Sequence, residues 1–403
     1  MVQQLQQPRL HIALLREHLE DNRQMVLLAG PRQVGKTTVC KSLDADARYL
    51  NWDDQDDRKL ILRGPKAVAE ALALHRLAAE RPLVVFDELH KHRRWKQFLK
   101  GCFDGFGADT RIVVTGSARL DVYRRGGDRL MGRYFLYRMN PLSVGELLRQ
   151  APLQEPLRSP LPLSDEQFAQ LWQRGGFPEP FLRNARFGTR WRELRRQQLV
   201  REDVRDLSQV QDLGQLEVLE SLLRERSGRS LSFSELANTV HIAVDTAKRW
   251  VELLIRLHHG FLVRPWFRNV TKSLRKEPKW YLTDWSGITD EGARTETFVA
   301  CHLHKAVETW EDLGFGRFEL RYLRDKTGRE VDFCVIKDGK PWFLVECKHG
   351  ETQLAPALSW FQQQTGAPHA FQCVQSLPYV DATPFARQGP CVVPASTLLS
   401  MLP

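Results

Sequence analysis

Apolar positions in the first part of the chain fall into short dense runs separated by longer mixed stretches. Met25–Ala29 is uninterrupted, residues 47–52 form a second strand candidate, and Leu83-Val84-Val85-Phe86 and Ile112-Val113-Val114 are two more. Runs of this length suit buried strands. Between them, residues 12–19 carry an amphipathic helical pattern. Residues 66–80 are rich in Ala and Leu without internal Gly or Pro, which predicts a helix. Strands alternating with helices predict an α/β fold with a parallel sheet and crossover helices.

The pattern breaks at Pro152, Pro156, Pro160 and Pro162, which reads as a linker or domain edge. A helical stretch rich in arginine follows. Residues 230–266 then read as helix, short turn, helix and strand. A last α/β segment begins near Asp284.

The chemistry starts at the end of the first apolar run. Gly30-Pro31-Arg32-Gln33-Val34-Gly35-Lys36-Thr37 matches G-x-x-x-x-G-K-[ST] in full, after a predicted strand and before a helix. Such glycines let backbone N–H groups turn inward toward phosphate oxygens, and the helix N-terminus adds partial positive charge. Residues 30–38, through Thr38, are the expected nucleotide cradle. Lys36 is expected on the β- and γ-phosphates and Thr37 on Mg²⁺. The Leu83–Asp87 run ends in two carboxylates, Asp87 for the metal and Glu88 for the attacking water. Thr115 or Ser117, at the end of the next run, is a candidate γ-phosphate sensor.

The motifs GPRQVGKTT, LVVFDELHK and VVTGSARL carry a resemblance to the AAA+ ATPases. So do Gly132-Arg133-Tyr134 with Pro141-Leu142-Ser143, and Gly175-Gly176-Phe177-Pro178. The closer likeness is to a bacterial and archaeal branch of uncharacterised members. The resemblance implies a P-loop ATPase core over residues 1–150 and a helical lid over 151–220. It also implies a winged helix over 221–283 and a restriction-endonuclease-like α/β domain over 284–403. It implies ATP and Mg²⁺ as cofactors, and a ring oligomer, a hexamer first. Arg133 is the candidate to complete a neighbouring subunit's site, with Arg119 and Arg129 as competitors.

Near the C-terminus, Arg329-Glu330-Val331-Asp332-Phe333 begins an apolar run. The turn Asp338-Gly339-Lys340-Pro341 separates it from Trp342-Phe343-Leu344-Val345-Glu346-Cys347-Lys348, and the two read as a hairpin. Glu346 and Lys348 share a face, and the hairpin can bring Asp332 beside them. Two carboxylates and a lysine can bind a divalent ion and polarise water. The set resembles the PD-(D/E)XK nuclease core. That likeness implies Glu296, on a preceding helix, as a further metal ligand and Lys348 as the catalytic lysine. The superfamily also has inactive members, so a fold without cleavage stays open.

In the middle segment, Ser232 and Glu235 fit a capping box, with Gly260 as the stop of the second helix. The arrangement matches a helix-turn-helix. Thr246, Lys248 and Arg249 would face DNA, with Arg268, Lys272, Arg275 and Lys276 on a wing near phosphates. A protein-packing role for the same module stays open. Trp250, Trp266 and Trp280 are expected in the core.

Charge sharpens the choice of partner. The 403 residues carry 59 Lys plus Arg against 49 Asp plus Glu, a net charge of +10. That balance favours DNA or another polyanion, although a plain basic surface gives the same total. Eight arginines fall between Arg183 and Arg205, either as a nucleic-acid face or as a solvated helix. A protein partner is the alternative. Seven scattered cysteines without a CxxC pair, and no apolar leader, point to a cytoplasmic protein away from membranes. No structural zinc site is expected from the histidine spacing.

Overall fold

The computed structural model describes residues 7–76, 80–116, 130–199, 212–266 and 277–403. Contacts divide the chain into two units. One comprises residues 1–140 with 150–152, the other 141–149 with 153–403.

The first unit runs α1 (Leu10–Asp21), β1 (Met25–Ala29), α2 (Lys36–Leu43), β2 (Arg48–Asn51), α3 (Gln55–Leu62), α4 (Pro65–Ala71), β3 (Leu83–Asp87), α5 (Trp95–Phe106), β4 (Arg111–Gly116) and β5 (Tyr134–Arg138). Its five strands are parallel in the order β2-β3-β4-β1-β5. Strands β1 and β3 are buried along their whole length, as both-face coverage of a parallel sheet requires. One side of the sheet packs Leu27, Val84, Phe86 and Val114 against Phe98, Leu99 and Phe103 of α5. This is a P-loop NTPase sheet.

One local expectation needs correction. The helix read over residues 66–80 stops at Ala71. Ala73 takes a left-handed φ of 49° and Leu74 turns into the core, while Arg48 hydrogen-bonds the Leu72 carbonyl. Burial of one leucine thus overrides favourable helix propensity. Strand β5, YFLYR, is not singled out by the sequence, and its first three residues are not buried.

The second unit runs α6 (Val144–Leu148), α7 (Asp165–Arg174), α8 (Pro178–Leu182), α9 (Ala185–Gln198), α10 (Leu213–Glu225), α11 (Phe233–Val240), α12 (Val244–Arg256), β6 (Gly260–Pro265), β7 (Lys279–Leu282), α13 (Glu291–Asp312), β8 (Phe318–Arg324), β9 (Glu330–Lys337), β10 (Lys340–Lys348), α14 (Pro356–Thr365), β11 (His369–Val374), β12 (Cys391–Pro394) and α15 (Ala395–Ser400). Its mixed sheet has the order β12-β11-β10-β9-β8-β6-β7. Strands β9 and β10 form the expected antiparallel hairpin, with Val345 opposite Phe333.

The capping box is only half made. Ser232 Oγ accepts from Glu235 N–H at 3.4 Å, but the Glu235 carboxylate pairs with Arg226. Gly260 does not stop a helix. Helix α12 ends at Arg256, and Gly260 begins β6, where an added Cβ would lie 2.4 Å from the Trp280 ring and from the Tyr281 carbonyl. Its role is close strand approach. Trp250 and Trp280 are buried, whereas Trp266 is half-buried.

Residues 141–149, which follow β5 in sequence, are fastened inside the second unit. Buried Lys305 pairs with buried Glu146 and donates to Ser143 Oγ at 2.8 Å and to the Pro141 carbonyl at 3.2 Å. His302 Nε2 accepts from Val144 N–H at 3.1 Å, and its Nδ1 donates to the Phe298 carbonyl at 2.8 Å. Among the described residues, no helix is long and apolar enough to cross a membrane.

Candidate nucleotide site and C-terminal acid cluster

The parallel registers place the ends of β1, β3 and β4 on one edge of the first sheet, where ligands of open α/β sheets bind. The loop from Gly30 to Gly35 leaves β1 there and enters α2 at Lys36. Gly35 has a φ of 104°, which a side chain would strain. A Cβ at Gly30 would lie 2.4 Å from the Met139 carbonyl. Arg32 and Gln33 lie on the turn, with Gln33 at a left-handed φ of 63°, and Val34 is buried. Thr38 follows on α2.

Lys36 is 6% exposed, and its Nζ donates to the Gly30 and Pro31 carbonyls at 2.8 Å each. Burial lowers its pKa to about 8, against the opposing pull of Glu88 and Asp87. Thr37 Oγ1 donates to Asp87 Oδ2 at 2.9 Å. Tyr49 and Thr115 donate to the same carboxylate. Three hydroxyls thus fix the rotamer of an acid that is 4% exposed. Glu88 follows in a left-handed turn with φ 55°, its Oε2 buried, without a hydrogen bond, 3.6 Å from Lys91 Nζ.

These residues fit hydrated Mg²⁺. A threonine hydroxyl and a carboxylate already converge, and the Glu88 oxygen lacks a donor that a water would supply. The Thr115 hydroxyl is engaged with Asp87 rather than turned to a phosphate. Ser117, Arg119 and Arg129 lie outside the described residues. Arg133 sits at the opposite edge, just before β5, and its guanidinium pairs with Asp104 at 2.9 Å.

Sequence reading missed Arg9. Its guanidinium hydrogen-bonds the Val34 carbonyl and donates to the Asn140 carbonyl at 2.6 Å, bracing the loop against the end of β5. It missed Tyr49 as well. No motif marked either residue, since each acts through a contact distant in sequence.

The hairpin and α13 bring Asp332, Glu346 and Glu296 together. Cys347 N–H donates to Asp332 Oδ2 at 2.9 Å, and Lys348 Nζ pairs with Glu346 Oε1 at 3.0 Å. Glu346 Oε2 is buried without a hydrogen bond. Tyr281 OH donates to Glu296 Oε1 at 2.6 Å. Burial and the charge of Asp332 raise Glu296 and Glu346 to about 7. Lys279 of β7 also enters this cluster, which no motif predicted.

On α12, Lys248 and Arg249 are exposed. Lys248 lies 3.4 Å from Asp245, and Arg249 donates to Thr246 Oγ1 at 3.1 Å. Arg268, Lys272, Arg275 and Lys276 lie outside the described residues. Much of the arginine run on α9 has internal partners. Arg195 lies 3.9 Å over the Phe177 ring, Arg196 pairs with Glu193 at 2.9 Å, and Arg192 donates to Ser286 at 3.2 Å.

Fold and loop together define the N-terminal unit as a P-loop NTPase domain, and residues 22–148 match the family described as AAA domain. Residues 165–289 and 291–395 match two domains of unknown function, DUF8612 and DUF4143. The uncharacterized protein Rv2008c of Mycobacterium tuberculosis is 24% identical over 327 residues, covering 79% of this chain and 69% of that one. The uncharacterized protein MJ1637 of Methanocaldococcus jannaschii is 24% identical over 289 residues, covering 64% and 60%. Among solved structures, the Walker-type ATPase PABY2304 of Pyrococcus abyssi aligns with a TM-score of 0.41 at 14% identity, covering 70% of this chain and 95% of that one. Thermotoga maritima RuvB aligns at 0.30 and 16%, covering 66% and 92%.

Proposed function

We propose that the chain hydrolyses ATP and uses the cycle to act on DNA as a ring oligomer, with a hexamer as the first expectation. The observation that carries the hydrolytic reading is the convergence of Thr37, Tyr49 and Thr115 on Asp87, beside a buried Glu88 oxygen that has no hydrogen bond and lies 3.6 Å from Lys91 Nζ. Loop amides and the start of α2 bind the phosphates. Lys36 exchanges its two carbonyl partners for phosphate oxygens. Thr37 and Asp87 would hold Mg²⁺, which neutralises charge on the transferred phosphoryl group. Glu88 orients the attacking water and accepts its proton. Arg133 lies about one strand length, roughly 15 Å, from its own loop, so its role at a nucleotide is in a neighbouring subunit.

The DNA reading rests on the net charge of +10 and on exposed Lys248 and Arg249 of α12. Phosphate contacts from such a face supply affinity without sequence selection. The internal pairing of the α9 arginines favours a second reading, a nucleotide-gated scaffold for a protein partner.

ATP turnover of the full chain, measured alone and with single-stranded, duplex and branched DNA, tests both. Turnover that rises with DNA and vanishes in Lys36→Ala supports the first reading. Turnover indifferent to every DNA transfers the proposal to the scaffold, and full turnover in Lys36→Ala removes the ATPase assignment.

A further inference from the structure

The C-terminal acids close around a cation that the chain supplies itself. Lys279 Nζ lies 2.6 Å from Glu330 Oε1, 2.9 Å from Glu296 Oε1 and 3.2 Å from Asp332 Oδ1. Its side chain is 5% exposed, and the three carboxylates together raise its pKa over the cost of burial. The backbone around it is tied down. Lys279 bridges to Ser230, and Gly228 N–H donates to the Trp280 carbonyl at 2.8 Å. Gly228 also covers Glu296, since a Cβ there would lie 3.3 Å from Glu296 Oε2.

A divalent ion shared by Glu296 and Asp332 would need the same oxygens at about 2.0–2.6 Å. It would compete with an ammonium already within hydrogen-bond reach of both, and would face its charge. Glu346, the third expected ligand, pairs with Lys348 through Oε1 and leaves only its buried Oε2 without a hydrogen bond, one oxygen where a divalent ion needs several. These residues do not fit a divalent metal.

We infer that Lys279 is the resident cation of this cluster, holding by ion pairing the acids that a nuclease would hold with a metal. The pairing fastens β7 to α13 and β9, across separations of 17 and 53 residues. The domain is then a binding or packing module, and metal-activated water has no seat in it. This inference does not depend on the ATPase reading.

Iron-directed backbone cleavage tests it. Fe²⁺ with ascorbate and peroxide cuts a chain near bound iron, and mass spectrometry locates the cuts. The full chain should show no cuts around residues 296, 332 and 346. Lys279→Met should gain them, and Lys279→Met combined with Asp332→Asn should lose them again. Cuts at these positions in the unmutated chain, suppressed by excess Mg²⁺, overturn the inference. So does a folded Lys279→Met that gains none. If that variant fails to fold by circular dichroism, Lys279→Arg replaces it. Lys279→Arg keeps a cation and should stay uncut, and cuts in it refute the assignment. Cuts near Thr37 or Asp87 report the other site and are told apart by position.

Discussion

His302 gives the second unit a proton-dependent stability whose size follows from its two hydrogen bonds. Its ring is 1% exposed, donates from Nδ1 to Phe298 and accepts at Nε2 from Val144. A protonated ring would leave Nε2–H facing another N–H. Burial accordingly lowers its pKa from 6.5 to about 3, with Lys305 adding to the fall. A group whose pKa is lower in the folded chain stabilises above its unfolded value and loses that contribution as pH falls toward the folded one. The loss runs at about 1.4 kcal/mol per pH unit below 6.5. By about pH 4.5 it reaches about 2–3 kcal/mol.

Glu296 and Glu346 work in the opposite direction. Their pKa values are raised to about 7, so their contribution is full below 4.5 and fades as pH rises through 7. The histidine must therefore be isolated by difference, using His302→Gln, whose amide oxygen can still accept from Val144. Nine of the eleven tryptophans belong to the second unit, so urea unfolding followed by tryptophan emission reads mainly that unit. The stability advantage of the unmutated chain over His302→Gln should shrink steadily between pH 6.5 and 4.5. A difference constant to within about 0.5 kcal/mol would refute the two-bond account.

Three further outcomes follow from the geometry. Lys305→Met strands the Glu146 carboxylate and should cost about 3–5 kcal/mol in urea, whereas the double change Lys305→Met with Glu146→Leu should recover most of it. Gly30→Ala drives a methyl into the Met139 carbonyl and should lower nucleotide affinity more than overall stability, as read by fluorescent-nucleotide titration against thermal melts. Because Lys36 has a pKa of about 8, nucleotide affinity should be flat below that pH and fall above it, by up to about tenfold per unit. An affinity unchanged to pH 9.5 would exclude a charged Lys36 contact.

The features legible in sequence were those made by neighbours along the chain. Buried strands showed as apolar runs, the loop from Gly30 to Thr37 as a motif, and the β9–β10 hairpin as two runs around a glycine turn. The Glu346–Lys348 pair followed from strand alternation, and Asp332 joined it through the hairpin. What escaped was made by distant contacts. Arg9 reaches Val34 and Asn140, Lys279 reaches Asp332, and neither leaves a periodic trace. Helix α3 hid because its residues, QDDRKLIL, bury only Ile61. Its start is set instead by Asp54, whose side chain accepts from the N–H groups of Asp56 and Asp57.

The nine residues from Pro141 to Arg149 matter to anyone who would take a protease or a stop codon to this chain. Truncation at residue 148 or 150, where sequence alone invites the scissors, would export a strip that Lys305 and His302 hold from the far half. A fragment ending at Asn140 keeps the phosphate-loop motif, β5 and the carbonyl that Arg9 grips, and its complement beginning at Pro141 keeps its own buried ion pair.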